Sequence, residues 1–187
     1  MQKIISGGNE LLDAAVILTK ELKLGSGAMV GDLGCGGAAY FTLAAAKIVG
    51  DRGQVYAVDV LKTVLSSVEG KARMHSLYNI KTIWSNLEVV GATNIPAQSL
   101  DDVLLVNILF QSKKHEEIIT EAARLLRPGG KLLIIDWDQA EGPFGPGTND
   151  RVDQQEVREI AGRLKLAEES SFKAGQYHFG LIFSKVL

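Results

Sequence analysis

The residues best suited to chemistry lie together in Val30-Gly31-Asp32-Leu33-Gly34-Cys35-Gly36-Gly37-Ala38-Ala39. An apolar run ends in an acid, glycines follow, and a helix-forming segment begins at Tyr40, which is the order of a strand that turns sharply into a helix. Glycine suits such a turn because it adopts dihedrals that other residues avoid and lets a ligand approach the backbone. Helix amino ends attract negative charge, so the turn predicts a site for a nucleotide-like or carboxylate-bearing ligand. Asp32 would repel a bare phosphate and favours a ligand that also carries a cationic amino group.

The spacing Gly34-x-Gly36-x-x-Ala39 matches the dinucleotide-binding fingerprint with alanine in its third place. That motif is informative only between a strand and a helix, and this context is predicted here. Asp59 lies 25 residues after Gly34, at a spacing that fits an acid holding ribose hydroxyls; the alternative is a strand-end residue that caps the next helix. Cys35 is predicted to be a small buried side chain rather than a nucleophile.

The composition is that of an ordinary globular protein, with 187 residues, 46% hydrophobic and 22% charged. This length predicts one domain over residues 1–187. A net charge of −2 gives no electrostatic argument for binding DNA or a membrane, although a local basic patch for RNA is possible. The single cysteine excludes an internal disulfide, and no signal peptide or membrane-length apolar run is evident. We therefore expect a cytoplasmic enzyme.

Hydrophobic periodicity predicts strands that alternate with helices, and hence a parallel, doubly wound sheet. Parallel strands are expected at residues 28–33, 54–60, 80–84, 102–110 and 131–136. Helices are expected at 11–22, with Asn9 as the N-cap, and at 40–49, 63–77, 116–126 and 153–164. Two further strand-like runs, 167–172 and 177–186, are separated by a hairpin-length loop at 173–176.

Asp32-Leu33-Gly34-Cys35-Gly36 resembles the first motif of class I S-adenosylmethionine-dependent methyltransferases, of the type 11-like group. Val55-Tyr56-Ala57-Val58-Asp59 resembles the family's second strand, which ends in the ribose-binding acid. Residues 99–104 resemble the entry to the fourth strand, and Leu125-Leu126-Arg127-Pro128-Gly129-Gly130-Lys131-Leu132 resembles the turn into the fifth. The resemblance covers nearly the whole chain from about residue 11, although the run after Cys35-Gly36 is one residue longer than usual.

The resemblance implies an α/β, Rossmann-like, doubly wound fold, with a seven-stranded, mainly parallel sheet and a C-terminal antiparallel hairpin. It implies S-adenosyl-L-methionine as the cofactor. Asp32 would then contact its methionine part, directly or through water, while Gly34 and Gly36, on either side of Cys35, would let it approach the backbone. Asp59 would hold its ribose.

Three more residues are candidates for the cofactor site. Asn86 follows the third predicted strand, where the family often places a polar group, usually an acid, on the adenine amino group. Val60 would contact the adenine face, with ordinary core packing as the alternative. Asn107 lies towards the end of the fourth predicted strand, near the edge of the sheet where open α/β sheets bind ligands.

His178 is the candidate catalytic residue. If the last strand is antiparallel, its first residues lie at the edge where the parallel strands end, so Tyr177 and His178 would border the substrate cleft. The reference pKa of histidine is near neutrality, which suits a general base; the alternative is a strand histidine without a role. Asp136 and Asp138 raise the question of a metal, but we do not expect both carboxylates to ligate one ion, and we predict no metal site.

These observations predict methyl transfer from S-adenosylmethionine to an acceptor defined by the loops at 111–115 and 137–151. Near-neutral charge and the lack of an Asn-Pro-Pro-Tyr-type motif after the fourth strand favour a small molecule. Gly53-x-Val55-Tyr56-Ala57-Val58 is also similar to RNA methyltransferases of the fibrillarin type, which keeps RNA open as the acceptor. A catalytically silent cofactor-binding subunit and a nucleotide-dependent oxidoreductase would share these motifs, although Asp32 and the terminal hairpin weigh against the oxidoreductase.

Overall fold

A computed structural model describes residues 8–139 and 145–186 of the chain. In these residues the strands are β1 (Met29–Leu33), β2 (Gln54–Asp59), β3 (Ile80–Trp84), β4 (Leu100–Val106), β5 (Leu126–Trp137), β6 (Leu166–Gly175) and β7 (His178–Lys185). They form one sheet in the order β3-β2-β1-β4-β5-β7-β6. Strands β1 to β5 are parallel, and β7 pairs antiparallel with both β5 and β6. The predicted α/β, doubly wound sheet with a C-terminal antiparallel pair is confirmed.

Helices cover both faces of this sheet. They are α1 (Ala14–Val16), which continues as a π-helical turn over Ile17–Glu21, α2 (Tyr40–Val49), α3 (Lys62–Met74), α4 (His115–Leu125) and α5 (Gln154–Arg163). Because side chains alternate along a strand, β4 serves both layers. Val103 and Leu105 pack with α4 and α5, whereas Leu104 and Val106 pack with α1 and α2. The almost unbroken apolar composition of β4 follows from this burial on both sides.

Several boundaries differ from the prediction for local reasons. Strand β4 ends at Val106, not at residue 110, because Asn107 adopts a left-handed conformation with φ +56°. Asp13, not Asn9, caps the first helix, and its Oδ1 accepts a hydrogen bond from the Val16 amide (3.0 Å). The predicted hairpin loop is shorter than expected, since β6 continues to Gly175 and β7 begins at His178.

Candidate functional site

A cleft of about 430 Å³ opens beside the carboxyl ends of β1 and β2. Ligands of open α/β sheets bind in this position, and the volume lies in the range of small-molecule sites. The turn after β1 and the segments after β2, β3 and β4 contribute the lining, together with the start of the described chain. The lining residues are 9–10, 34–38, 59–61, 64, 85–88, 108, 111–112 and 118.

The glycine turn after β1 forms the floor of the cleft. Gly34 and Gly36 have φ values of +79° and +64°, which glycine adopts without strain. A β-carbon on Gly34 would lie 2.1 Å from Cδ1 of Ile108, so this position requires glycine for space as well as for conformation. Cys35 also lines the cleft, but burial, with the nearby charges of Asp32 and Asp59, raises the pKa of its thiol well above the usual value. A thiolate nucleophile is therefore disfavoured at neutral pH.

Helix α3 holds this turn from behind. The Lys71 ammonium donates a hydrogen bond to the Gly37 carbonyl (2.6 Å), and the Ser67 hydroxyl donates to the same oxygen (3.1 Å). Two donors on one carbonyl fix the backbone at the point where it lines the cleft. Neither residue was predicted, because the contact joins positions 30 and 34 residues apart.

Asp59 ends β2 and lies in the cleft, as predicted. Its Oδ1 accepts a hydrogen bond from the Leu61 amide (2.9 Å), and its Oδ2 accepts one from the Gly36 amide (3.3 Å). The carboxylate therefore connects the glycine turn to Leu61, the residue just before α3, but it does not cap that helix, so the helix-capping alternative is not supported. The ribose contact itself stays a prediction.

Asp32 lies beneath the turn and does not line the cleft. It is 2% exposed, and its Oδ2 accepts a hydrogen bond from the Thr42 hydroxyl. The N-cap of α2 is Ala39, which offers no side-chain cap, so Asp32 supplies the acceptor for this helix end. Burial raises the pKa of its carboxyl to about 6, against the lowering effect of the Thr42 hydrogen bonds; the Asp59 charge raises it further. The contact between Asp32 and the methionine part of the cofactor stays a prediction.

The segments after β2 and β3 form facing parts of the cleft. Val60 and Leu61 are more than half exposed, and both line it. Trp84 supports this edge, since its Nε1 donates to the Val60 carbonyl (2.8 Å). Asn86 also lines the cleft, and its Oδ1 accepts a hydrogen bond from the Glu88 amide (3.0 Å). Its amide retains N–H donors and a second oxygen lone pair, which suits the predicted adenine contact.

A polar bridge that the sequence did not predict joins the segments after β3 and β4. The Ser112 hydroxyl donates to Glu88 Oε1 (2.7 Å), and Lys114 pairs with Glu88 Oε2 (3.4 Å). Glu88 and Ser112 both line the cleft. The sequence had indicated residues 111–115 as a substrate loop, but it carried no signal for the partner after β3.

Asn107 is buried and does not itself line the cleft. Its Nδ2 donates to Asn9 Oδ1 (2.7 Å), and its carbonyl accepts a hydrogen bond from Gln111 Nε2 (2.6 Å). Because Asn9 and Gln111 do line the cleft, Asn107 can act on a bound molecule through these two neighbours.

His178 lies at the predicted edge of the sheet but not in the predicted environment. It pairs with Trp137 across the antiparallel ladder, at the carboxyl end of β5. The side chain is 1% exposed, packs on the Trp137 ring at a centroid distance of 4.2 Å, and does not line the cleft. Burial and the nearby Arg151 cation lower the pKa of the imidazole to about 4. The expectation that His178 borders the cleft is therefore corrected, and this burial weighs against the general-base role, which stays a prediction.

Asp136 lies near the end of β5, away from solvent. Asp136 is buried and accepts hydrogen bonds from the amides of Leu109, Phe110 and Trp137, and burial raises its pKa to about 7. Residues 8–139 and 145–186 contain no group of three metal-ligating side chains placed to hold an ion.

Part of the predicted substrate loop, 140–144, lies outside the described residues. No helix in the described parts of the chain is long and apolar enough to cross a membrane.

Comparison with known proteins identifies the family. Residues 31–134, more than half of the chain, match the type 11 family model described as a methyltransferase domain. The chain belongs to this family, the class I S-adenosylmethionine-dependent methyltransferases. S-adenosylmethionine is the family's cofactor, and the site fits it: a glycine turn free of side chains, a carboxylate at the end of β2 and apolar residues after β2 all line one cleft.

The similar proteins include curated enzymes and solved structures. A demethylmenaquinone methyltransferase of Geobacillus sp. (strain WCH70) is 33% identical over 107 residues, 56% of this chain and 44% of that protein. A ubiquinone/menaquinone biosynthesis C-methyltransferase of Hahella chejuensis is 29% identical over 64% of this chain and 47% of that protein. The chain thus spans less than half the length of these curated relatives. A SAM-dependent methyltransferase from Aquifex aeolicus superposes with a TM-score of 0.85, at 26% identity over 97% of this chain and 94% of that chain.

Proposed function

We propose that this protein transfers a methyl group from S-adenosylmethionine to a small molecule of the quinone type. The observation that carries the proposal is the single cleft that brings together the Gly34–Gly36 turn and Asp59 on the family's fold. Gly36 and Asp59 are hydrogen-bonded to each other, so the backbone and the carboxylate that would hold the cofactor are positioned as one unit.

The chain's own contribution to this reaction is binding, orientation and exclusion of water. The cofactor supplies a methyl group activated by its sulfonium, so alignment with the acceptor provides much of the rate. The charged side chains that line the cleft, Glu10, Asp59 and Glu88, are all acidic. This lining suits a ligand that carries cationic groups.

The acidic lining also bears on the acceptor. No lysine or arginine lines the cleft in the described residues, and a phosphate backbone would require such cations. This favours a small molecule over RNA. The quinone class rests on the relatives, whose names give demethylmenaquinone and ubiquinone/menaquinone biosynthesis.

Two measurements test the proposal in sequence. Adenosylhomocysteine should raise the melting temperature, because a ligand that binds the folded state stabilises it by mass action. Asp59→Ala should reduce that rise, while Asp51→Ala, in an exposed turn, should keep it. Stabilisation by NAD without a response to adenosylhomocysteine would instead support an oxidoreductase.

Transfer of labelled methyl from S-adenosylmethionine to demethylmenaquinone, kept reduced so that its hydroquinone ring can act as the nucleophile, then tests the acceptor class. Labelling of RNA but not of the quinone would replace the small-molecule assignment. Normal cofactor binding without transfer to either would favour the silent cofactor-binding subunit.

A further inference from the structure

Three neighbouring strand ends carry buried polar atoms that lack hydrogen-bond partners. In residues 8–139 and 145–186, the buried side-chain atoms without a partner are Asn107 Oδ1, Trp137 Nε1 and both ring nitrogens of His178. Buried polar groups are nearly always paired in folded proteins. Such atoms scattered over the molecule would have little meaning, but these four share one edge of the sheet.

These residues form a continuous row. Asn107 follows β4, Trp137 ends β5 and His178 begins β7, and these strands are adjacent in the sheet. The backbone N–H of Asn107 donates a hydrogen bond to the backbone carbonyl of Ile135 (2.8 Å), and the rings of Trp137 and His178 are in contact. The row begins at the cofactor cleft, because Asn9 lines the cleft and accepts a hydrogen bond from Asn107.

Glycine backbone packs against the central residue of this row, Trp137. A β-carbon on Gly8 would lie 2.4 Å from Cζ2 of Trp137, and one on Gly145 would lie 2.5 Å from its Cε3. The indole is therefore packed against two glycines, which bring no side chain that could pair with it. This packing buries the indole while its N–H has no partner.

The unpaired atoms define the chemistry of a partner. The Trp137 indole N–H can only donate a hydrogen bond, and the side-chain oxygen Oδ1 of Asn107 can only accept one. The low pKa of His178, about 4, caused by burial and by Arg151, keeps the ring uncharged at neutral pH, with one donor and one acceptor. A matching ligand must both donate and accept, as a hydroxyl group does, and a flat ring suits a site bordered by two aromatic side chains.

We propose that Asn107, Trp137 and His178 form the subsite for the methyl acceptor, and that the acceptor presents a hydroxyl group on a flat ring to them. This inference rests on the proposed function, in which the adjoining cleft holds the cofactor. His178 then binds and orients the acceptor through hydrogen bonds as an uncharged ring.

The two tryptophans of the chain allow the subsite and the cofactor cleft to be tested separately. In protein labelled with ¹⁵N-tryptophan, the Trp84 indole signal reports on the cleft, because its N–H is hydrogen-bonded to the carbonyl of Val60, a residue that lines the cleft. The Trp137 signal reports on the subsite. Adenosylhomocysteine should shift the Trp84 signal, and 1-naphthol, added next, should shift the Trp137 signal, whereas naphthalene, which lacks the hydroxyl, should not.

An unchanged Trp137 signal at saturating 1-naphthol, or an equal shift with naphthalene, would overturn the subsite. A Trp137 response to 1-naphthol without any Trp84 response to adenosylhomocysteine would instead keep the subsite and refute the proposed cofactor function.

Variants at His178 give a second test. His178→Leu should weaken 1-naphthol binding by about tenfold, the scale of a lost hydrogen bond, and His178→Gln, which retains a donor and an acceptor, should recover most of it. The exposed His75→Leu is the matched control. Because His178→Leu removes two unpaired nitrogens, its melting temperature without ligand should not fall. A large fall in melting temperature together with unchanged 1-naphthol binding would show that His178 has a purely structural role. If His178→Leu does not fold, Trp137→Phe decides the same question, since it should lose 1-naphthol binding.

Discussion

The Asp32→Asn substitution tests how much the buried negative charge of Asp32, beneath the glycine turn, lowers the stability of the fold. The pKa of Asp32 is raised to about 6 from its ordinary 3.8, chiefly by burial. Each pKa unit corresponds to about 1.4 kcal/mol, so the ionised carboxylate lowers the free energy of unfolding by roughly 3 kcal/mol relative to the protonated form. The folded state binds the proton more tightly than the unfolded state. The protonated carboxyl therefore contributes this free energy to stability below about pH 4, and the contribution is lost as the pH rises to about 6.

Asparagine cannot titrate and therefore lacks this loss. The difference in the free energy of unfolding, variant minus wild type, should rise by roughly 3 kcal/mol between pH 4 and pH 7, whatever constant offset the amide adds. Urea unfolding at several pH values measures it, with Asp51→Asn in an exposed turn as the matched control. A difference that does not change with pH would refute the reasoning. If Asp32 also contacts the methionine part of the cofactor, the variant should in addition bind adenosylhomocysteine more weakly.

Three further substitutions probe the cleft. Gly34→Ala should lower the free energy of unfolding, measured in urea, by about 2–4 kcal/mol, because of the positive φ at this position and the overlap with Ile108. Adding Ile108→Ala should recover only the part due to the overlap, and full recovery would show that φ does not matter. Lys71→Met should weaken adenosylhomocysteine binding roughly tenfold by calorimetry, because Gly37 loses a charged donor. The same change at the exposed Lys47 should have no effect, and an equal loss at both positions would contradict a local role. Asp59→Ala should weaken that binding by about 1–3 kcal/mol, and an unchanged affinity would place the ribose elsewhere.

The parts of the site that the sequence predicted depend on neighbouring residues or on a general rule of topology. The turn at Gly34 and Gly36 lies between β1 and α2, which directly adjoin it in the chain. Asp59 was found because parallel strands end at one edge of the sheet. The position of His178 at this edge followed from the same rule applied to an antiparallel strand.

The features that the sequence missed depend on contacts between distant segments. The pairing of Glu88 with Ser112 joins two loops 24 residues apart, and neither loop carries a motif that names its partner. Burial of His178 depends on the Trp137 ring, which is itself packed against Gly8 and Gly145. Asp32 was predicted from a motif as a ligand contact, and its hydrogen bond to Thr42 in α2 emerged only from the fold.

The placement of β7 between β5 and β6 has a consequence for how the chain assembles during synthesis. Strand β6 leaves the ribosome first, yet among the described strands it pairs only with β7, so it has no place in the sheet until β7 follows. The five parallel strands and the glycine turn precede both and can pack earlier, because domains begin to fold as the chain emerges. The side of the protein that would hold the cofactor is therefore expected to form before the side that contains His178. A ribosome-stalled chain ending before β7 should accordingly leave β6 open to proteases while β1 to β5 are already protected.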